Sequence, residues 1–154
     1  MMSATGTDAH LTPMLIDSLY VEAMVLADEA RSYFDKQGRG DRLELDPMLR
    51  VGFSCESLKV TTRLMHIIAW LLTQRAVEAG ELSRAQARRP KRRLGHAPES
   101  DDELVAKLPK DARELIESSQ DLYARIERLQ EGSLAPQASP ARSLLNRLER
   151  SMSH

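Results

Sequence analysis

The segment from Pro47 to Gly80 restricts the fold most, because as a helix it is apolar around most of its circumference. Asp46 and Pro47 form an N-cap followed by proline at the first helical position, and Gly80 supplies a C-terminal stop. The pattern predicts one helix over 47–79, about 50 Å long at 1.5 Å per residue. A helix of this kind needs more than one neighbour to cover it, so we expect an all-α protein.

Two apolar sets and one polar wedge divide the circumference of this helix. The first set alternates four and three residues apart and consists of Val51, Cys55, Leu58, Thr62, Met65, Ala69, Leu72, Ala76 and Ala79. A second apolar side is formed by Val60, Leu64, Ile67 and Leu71. The remaining wedge of about 100° contains Lys59, Arg63, His66, Trp70, Thr73 and Gln74.

The wedge has two interpretations. It is either a solvated face on which Trp70 covers apolar neighbours, or a protein-contact surface. The second is favoured, because Trp and Arg are the residue types that most often carry interface energy. Arg63, His66 and Trp70 are therefore predicted protein-binding residues. The apolar character of the other sides favours a homodimer.

Two further helices flank this segment. Thr12 and Pro13 begin the first, which carries an apolar face and is expected to stop near Gly38. The third begins after Ser100, which has capping-box spacing to Glu103, is restarted or kinked at Pro109, and stops at Gly132. We therefore predict an antiparallel three-helix bundle over residues 1–132, with a long central helix, that forms a dimer.

Residues 81–99 form a basic connection whose densest part is "RRPKRR", Arg88 to Arg93, extended by Arg84. This cluster could bind nucleic-acid phosphates, bind an acidic protein surface, or solvate a loop. The nucleic-acid interpretation is the weakest, because neither interleaved aromatic residues nor helix-turn-helix spacing accompanies the cluster. Arg88, Arg89 and Arg92 are the candidates for protein binding.

Residues 133–154 have the composition of a flexible tail with one short amphipathic segment. That segment, "SPARSLLNRLERSMSH", places apolar residues on one side of a helix and arginines on the other. A helix of this length is marginal alone in water, so its apolar side is expected to dock on the bundle or on a partner. The predicted docking residues are Leu144, Leu145 and Leu148.

Composition excludes several classes of function. The 22 basic and 23 acidic residues leave a formal net charge of −1, so any nucleic-acid footprint must be local. The single cysteine, Cys55, is expected to be a buried thiol and permits no intrachain disulfide, which suits the cytoplasm. No apolar run is long enough to span a bilayer and the N-terminus has no export pattern, so no membrane partner is expected.

Catalytic and cofactor motifs are missing from the sequence. The four histidines lie in four different segments without helical metal-ligand spacing, and neither a phosphate-binding loop nor a nucleophile elbow occurs. We therefore predict no metal, no cofactor and no enzymatic activity. An enzyme whose site assembles from scattered residues is the alternative that a sequence alone leaves open.

The segment "CESLKVTTRLMHIIAWLLTQRAVEAGEL", Cys55 to Leu82, closely resembles the central segment of the RcdA family of alphaproteobacterial regulators of CtrA degradation. In that family an "ES…LTTRLM…WLL.QRAV..GE" pattern recurs. The matching positions are Glu56, Ser57, Thr61, Thr62, Arg63, Leu64, Met65, Trp70, Leu71, Leu72, Gln74, Arg75, Ala76, Val77, Gly80 and Glu81. Outside this helix, from about residue 15 to 129, the resemblance rests on helix order and length.

The resemblance implies a dimeric three-helix bundle with a C-terminal extension and no catalytic activity. It further implies an adaptor in regulated proteolysis, which helps deliver a cell-cycle transcription factor such as CtrA to the protease ClpXP together with accessory adaptors. The alternative from another class is a nucleic-acid-associated regulatory protein that uses the Arg/Lys-rich loop 84–93.

Overall fold

The computed structural model describes residues 12–134 and 140–152, and all regular structure in those ranges is helical. In chain order the helices are α1 (Pro13–Asp35), α2 (Gln37–Leu43), α3 (Pro47–Glu78), α4 (Arg84–Ala87), α5 (Asp102–Val105), α6 (Lys110–Leu134) and α7 (Pro140–Met152). A short 3₁₀ turn, Pro90–Arg92, follows α4. The three long helices α1, α3 and α6 pack against one another.

Polar side chains cap the starts of the first two long helices, as the sequence predicts. The hydroxyl of Thr12 accepts a hydrogen bond from the Leu15 amide at 3.2 Å, and the Asp46 carboxylate accepts one from the Leu49 amide at 3.0 Å. Each cap is followed by proline, which has no amide proton to leave unpaired. At the other end of α3, Gly80 adopts a φ of 77°, a conformation that favours glycine.

The third predicted helix is two helices. Asp101, not Ser100, caps α5, since its carboxylate accepts a hydrogen bond from the Glu103 amide at 3.0 Å. The restart predicted at Pro109 is confirmed, because α6 begins at the next residue. The stop predicted at Gly132 is wrong, since α6 continues to Leu134.

Helices α1 and α3 run antiparallel. Asp17, near the start of α1, pairs with Arg75, near the end of α3, at 3.5 Å. At the opposite end Phe34 of α1 packs edge-on against Phe53 of α3, with ring centroids 5.6 Å apart. The short connection through α2 explains this arrangement, because it is too short to return the chain to the far end.

Helix α6 also runs antiparallel to α1, because Arg125 bonds Glu22 while Gln37 donates to Asp111 at 3.0 Å. Helices α3 and α6 consequently run parallel, and the prediction of a fully antiparallel bundle is wrong for this pair. The chain must travel back along α3 before α6 begins. Residues 79–109, called the crossover below, make that return.

The core lies where the three long helices meet. It contains the second apolar side of α3, which consists of Val60, Leu64, Ile67 and Leu71. Its members from the three long helices are Ile16, Leu19, Ala23, Leu26, Ala30, Phe53, Val60, Leu64, Ile67, Trp70, Leu71, Ala112, Leu115, Ile116, Leu122 and Ile126.

Candidate protein-interaction site

The crossover packs along both α3 and α6. At one end the Leu94 amide donates to the side chain of Gln130 in α6 at 2.7 Å. At the other end Leu104 lies against Gly52 of α3 so closely that a Cβ there would stand 2.6 Å from its Cδ1. The crossover therefore covers one long side of α3.

Arg63 is the central polar anchor of the crossover. Its guanidinium donates to the hydroxyl of Ser119 in α6 at 3.1 Å, to the carbonyl of Pro98 at 3.1 Å and to the hydroxyl of Ser100 at 2.6 Å. The residue is only 2% exposed. Burial lowers the pKa of the Arg63 guanidinium, whereas the negative charge of Glu56 raises it.

Glu56 completes this cluster from one side of the same helix. Its carboxylate is fully buried, accepts a hydrogen bond from Ser100, and pairs with Lys59 at 3.0 Å. Lys59 also donates to the carbonyl of Glu99 at 2.9 Å. Because a buried carboxylate is costly unless it is paired, these contacts fix the crossover to α3.

Gly95 allows the crossover to pass directly over His66. A Cβ on Gly95 would overlap the Nδ1 atom of the imidazole. The Gly95 carbonyl accepts a hydrogen bond from the Tyr123 hydroxyl at 2.7 Å, which holds the Gly95 backbone in place over His66. The Nδ1 atom of His66 is itself buried without a hydrogen-bond partner.

The polar wedge therefore does not face solvent. Arg63 is 2% exposed and Trp70 is 3% exposed, and His66 is half-buried beneath Gly95. The expectation of an exposed contact surface is wrong for Arg63 and Trp70, because the crossover and α6 cover the polar side of α3. Neither side chain offers area to a partner in this packing.

The exposed side of α3 is instead formed by the first apolar set from Val51 to Ala76, together with Met48. We call this the α3 stripe: Met48, Val51, Cys55, Leu58, Thr62, Met65, Ala69, Leu72 and Ala76. Its large members, Met48, Val51, Leu58, Met65 and Leu72, are all exposed. Cys55 is exposed as well, so the expectation of a buried thiol is wrong. An apolar stripe of this length at heptad spacing is typical of a helix that packs on another helix.

The arginine cluster lies on a compact turn after α3, which we call the basic turn (residues 84–93). It begins with a capping box, in which Ser83 and Gln86 bond each other's backbone amides at 3.0 and 2.8 Å. Arg88 and Arg89 are exposed, and Arg92 is half-buried. The turn thus presents fixed positive charge without an aromatic neighbour in its sequence.

Helix α7 confirms the predicted amphipathic segment. Leu145, Leu148 and Met152 lie exposed along it, and Arg147 is exposed too. Leu144 falls outside the residues whose side chains the structure describes. The predicted docking side of α7 is therefore open to solvent at Leu145 and Leu148.

Two concave regions border the long helices. A cavity of about 330 Å³ lies beside the crossover and α6, where Arg63, Tyr123 and Glu127 contribute to its wall. A groove of about 670 Å³ between α1 and α6 is lined by four acidic residues, Lys36 and five uncharged residues. Within residues 12–134 and 140–152, no three His, Cys, Asp or Glu side chains converge to hold a metal ion. No helix in those ranges is long and apolar enough to cross a membrane.

Residues 7–152 match the family described as "Protein of unknown function (DUF1465)". Among solved structures, the chain is similar to the crystal structure of RcdA from Caulobacter crescentus CB15, with a TM-score of 0.66 and 30% sequence identity. That similarity covers 81% of this chain and 96% of the other. No curated protein matches the chain at a significant level.

Proposed function

Because the chain belongs to the RcdA family, described as DUF1465, we propose that it is a non-catalytic adaptor in ClpXP-dependent proteolysis. In this role it helps deliver a transcription factor such as CtrA to the protease, together with accessory adaptors. The observation that carries the proposal is the α3 stripe, since a long exposed apolar helix face is a binding surface.

The proposal includes a homodimer of three-helix bundles that pair through the α3 stripe. From Met48 to Ala76 the stripe measures about 42 Å at 1.5 Å per residue. All nine of its positions are uncharged, so burial of the stripe leaves none of its side chains as an unpaired charge. Apolar residues that alternate three and four apart interlock with the same pattern on a second helix, which makes an identical chain the fitting partner.

The basic turn is the proposed contact with an acidic protein surface. Arg88 and Arg89 are exposed, and Arg92 lies beside them. Exposed charge of one sign accelerates encounter with an oppositely charged partner and selects against a like-charged one. The dimer presents two such turns, and a partner that engages both gains from effective concentration.

A degradation assay reconstituted from purified proteins tests this proposal. Purified ClpXP, accessory adaptors and CtrA are mixed with and without the full chain, and the CtrA half-life is measured. We expect the chain to shorten it, and Arg88→Glu/Arg89→Glu to lose most of that effect. Arg39→Glu/Lys107→Glu is the matched control, because both residues are exposed outside the basic turn. An unchanged half-life with the wild-type chain would refute the adaptor role.

A second candidate function is regulation through nucleic-acid binding by the basic turn. The observation that favours it is the exposure of Arg84, Arg88, Arg89, Lys91 and Arg93 on one short segment. Binding of this kind releases counterions, so the affinity for duplex DNA should fall steeply as salt is raised. Undetectable binding at low salt would remove this candidate.

A further inference from the structure

The cavity beside the crossover and α6, called the crossover cavity below, is walled by acidic side chains that have no partner. Glu99 and Asp102 of the crossover and Glu127 of α6 line its volume of about 330 Å³. Among residues 12–134 and 140–152, none of these three carboxylates forms an ion pair or accepts a hydrogen bond. Unpaired negative charge around a concave site favours an occupant that carries a positive charge.

Arg63 gives the same cavity unused hydrogen-bond donors. The residue lines the cavity and is only 2% exposed, so what it can offer an occupant is hydrogen bonds and not surface area. Of the five N–H donors of a guanidinium, three are taken by Ser119, Pro98 and Ser100. No acceptor within the described residues meets the Nε–H or the second N–H of Nη1. Because a buried donor is costly to leave unpaired, an acceptor oxygen inside the cavity would be stabilised there.

The rest of the wall limits the size and kind of the occupant. Ala97, Pro98 and Ala124 are small and apolar, which leaves room for a short side chain. In the part of the chain that the structure describes, no three His, Cys, Asp or Glu side chains converge as ligands of a metal ion would. The cation that fits is therefore an organic ammonium group, which two or three separated acceptors can satisfy.

A peptide N-terminus has both required groups in one compact unit. A single carbon atom joins its ammonium to its first carbonyl, so the ammonium can lie among the carboxylates while the carbonyl accepts from Arg63. A lysine side chain places a four-carbon stem between its ammonium and its backbone, so its carbonyl would remain outside the cavity. A free amino acid has a carboxylate in place of the neutral carbonyl, and this charge would be repelled by the three acidic side chains of the wall.

We propose that the crossover cavity binds the free N-terminus of a polypeptide. Glu99, Asp102 and Glu127 hold the α-ammonium group, and Arg63 donates to the first carbonyl. The inference rests on the proposed function, in which this polypeptide is the protein that the adaptor delivers. The cavity is separate from the α3 stripe and from the basic turn, so the three surfaces can be occupied at the same time.

Fluorescence anisotropy with the full chain and a labelled peptide tests the site. The peptide begins Ser-Ala-Gly, contains an internal lysine and carries the fluorophore at its C-terminus. We expect the peptide with a free N-terminus to bind, and N-acetylation to weaken binding roughly tenfold or more, because acetylation removes a charge-assisted hydrogen bond. Equal binding of the two peptides would overturn the inference, since the internal lysine is present in both.

Two variants of the wall locate the binding in the crossover cavity. Glu127→Gln removes one negative charge and should weaken binding roughly three- to tenfold. Ala124→Leu fills the space without a change of charge and should reduce binding below detection. Glu117→Gln is the matched control, because Glu117 is exposed on α6 but does not line the cavity. Circular dichroism verifies that each variant is folded, and unchanged affinity of both folded cavity variants would overturn the inference.

The remaining outcomes separate this inference from the proposed function. Free alanine that displaces the labelled peptide as well as unlabelled peptide does would overturn the assignment to a polypeptide. A shortened CtrA half-life in the degradation assay, without peptide binding, overturns the inference and leaves the adaptor role standing. Peptide binding with an unchanged half-life refutes the adaptor role and leaves the N-terminus site standing.

Discussion

Glu56 and Arg63 lie two helical turns apart on α3 and share one hydroxyl group, that of Ser100. Arg63 donates to this oxygen at 2.6 Å, and the same hydroxyl donates to the Glu56 carboxylate. Both residues belong to the segment that resembles the RcdA family. Their position indicates that these two motif residues fix the crossover between the parallel helices α3 and α6.

Replacement of Arg63 by leucine should destabilise the protein strongly. The change removes the buried charged donor to Ser119, Pro98 and Ser100, and loss of a hydrogen bond to a charged group typically costs about 1.5–3 kcal/mol. Chemical denaturation followed by circular dichroism measures the free energy of unfolding. Arg31→Leu is the control, because Arg31 pairs with Asp28 in solvent, where an ion pair contributes at most about 1 kcal/mol. Equal effects of the two changes would contradict the anchoring role of Arg63.

Replacement of Gly95 by alanine should lift the crossover from α3. The added Cβ would overlap the His66 imidazole, and overpacking of this kind costs about 1–3 kcal/mol. Gly40→Ala is the matched control, since a Cβ there meets nothing within 4 Å in α2 and should be neutral or mildly stabilising.

Truncation of His66 tests the cause of the Gly95 effect. In the double variant Gly95→Ala/His66→Ala the clash is gone, so the two changes together should cost less than the sum of their separate costs. Thermal unfolding of the four proteins gives the coupling. Strict additivity would show that the cost of Gly95→Ala does not come from a steric clash with His66.

Tyr33 should make the folded state sensitive to alkaline pH. Burial, followed by the hydrogen bond that its hydroxyl donates to Asp41 at 2.7 Å, raises the pKa of Tyr33 well above its usual value of about 10. The unfolded chain thus loses this proton at a lower pH than the folded chain. Stability from this group is complete below about pH 10 and is lost as the pH rises further.

The measurement is the free energy of unfolding of wild type and Tyr33→Phe at about pH 8 and about pH 11. The difference between the two proteins should shrink as the pH rises, because the variant has no proton to lose at this position. Parallel profiles would contradict the role assigned to the Tyr33 hydroxyl.

The helix termini could be predicted from the sequence, whereas the outward side of α3 could not. Thr12 and Asp46 each precede a proline, and a cap depends only on neighbouring residues, so its prediction requires no knowledge of the fold. The sequence also predicts how the circumference of α3 divides into two apolar sets and one polar wedge. The second apolar side lies in the core, but the wedge and the first apolar set show an inversion of the expected exposure, since Arg63 is buried and Leu58 is exposed.

The cause of that inversion is the crossover. A sequence does not show that α3 and α6 run parallel, and only this arrangement lays residues 94–104 over the polar side of α3. Ser100 illustrates the difficulty: its spacing to Glu103 predicted a capping box, but its hydroxyl bonds Glu56 and Arg63 instead. A Glu and an Arg seven positions apart on a nearly apolar helix were the available signal for this cluster.

Charge placed on the α3 stripe should separate the proposed homodimer into folded monomers. Leu58 is 66% exposed in the single chain, so Leu58→Glu should leave the core intact but bury a carboxylate without a partner in the dimer. Leu43→Glu is the matched control, because Leu43 is 63% exposed and lies outside the stripe. Analytical ultracentrifugation should show the mass of one chain for Leu58→Glu and of two for wild type and the control. A dimeric Leu58→Glu with an unchanged dissociation constant would exclude the α3 stripe as the interface.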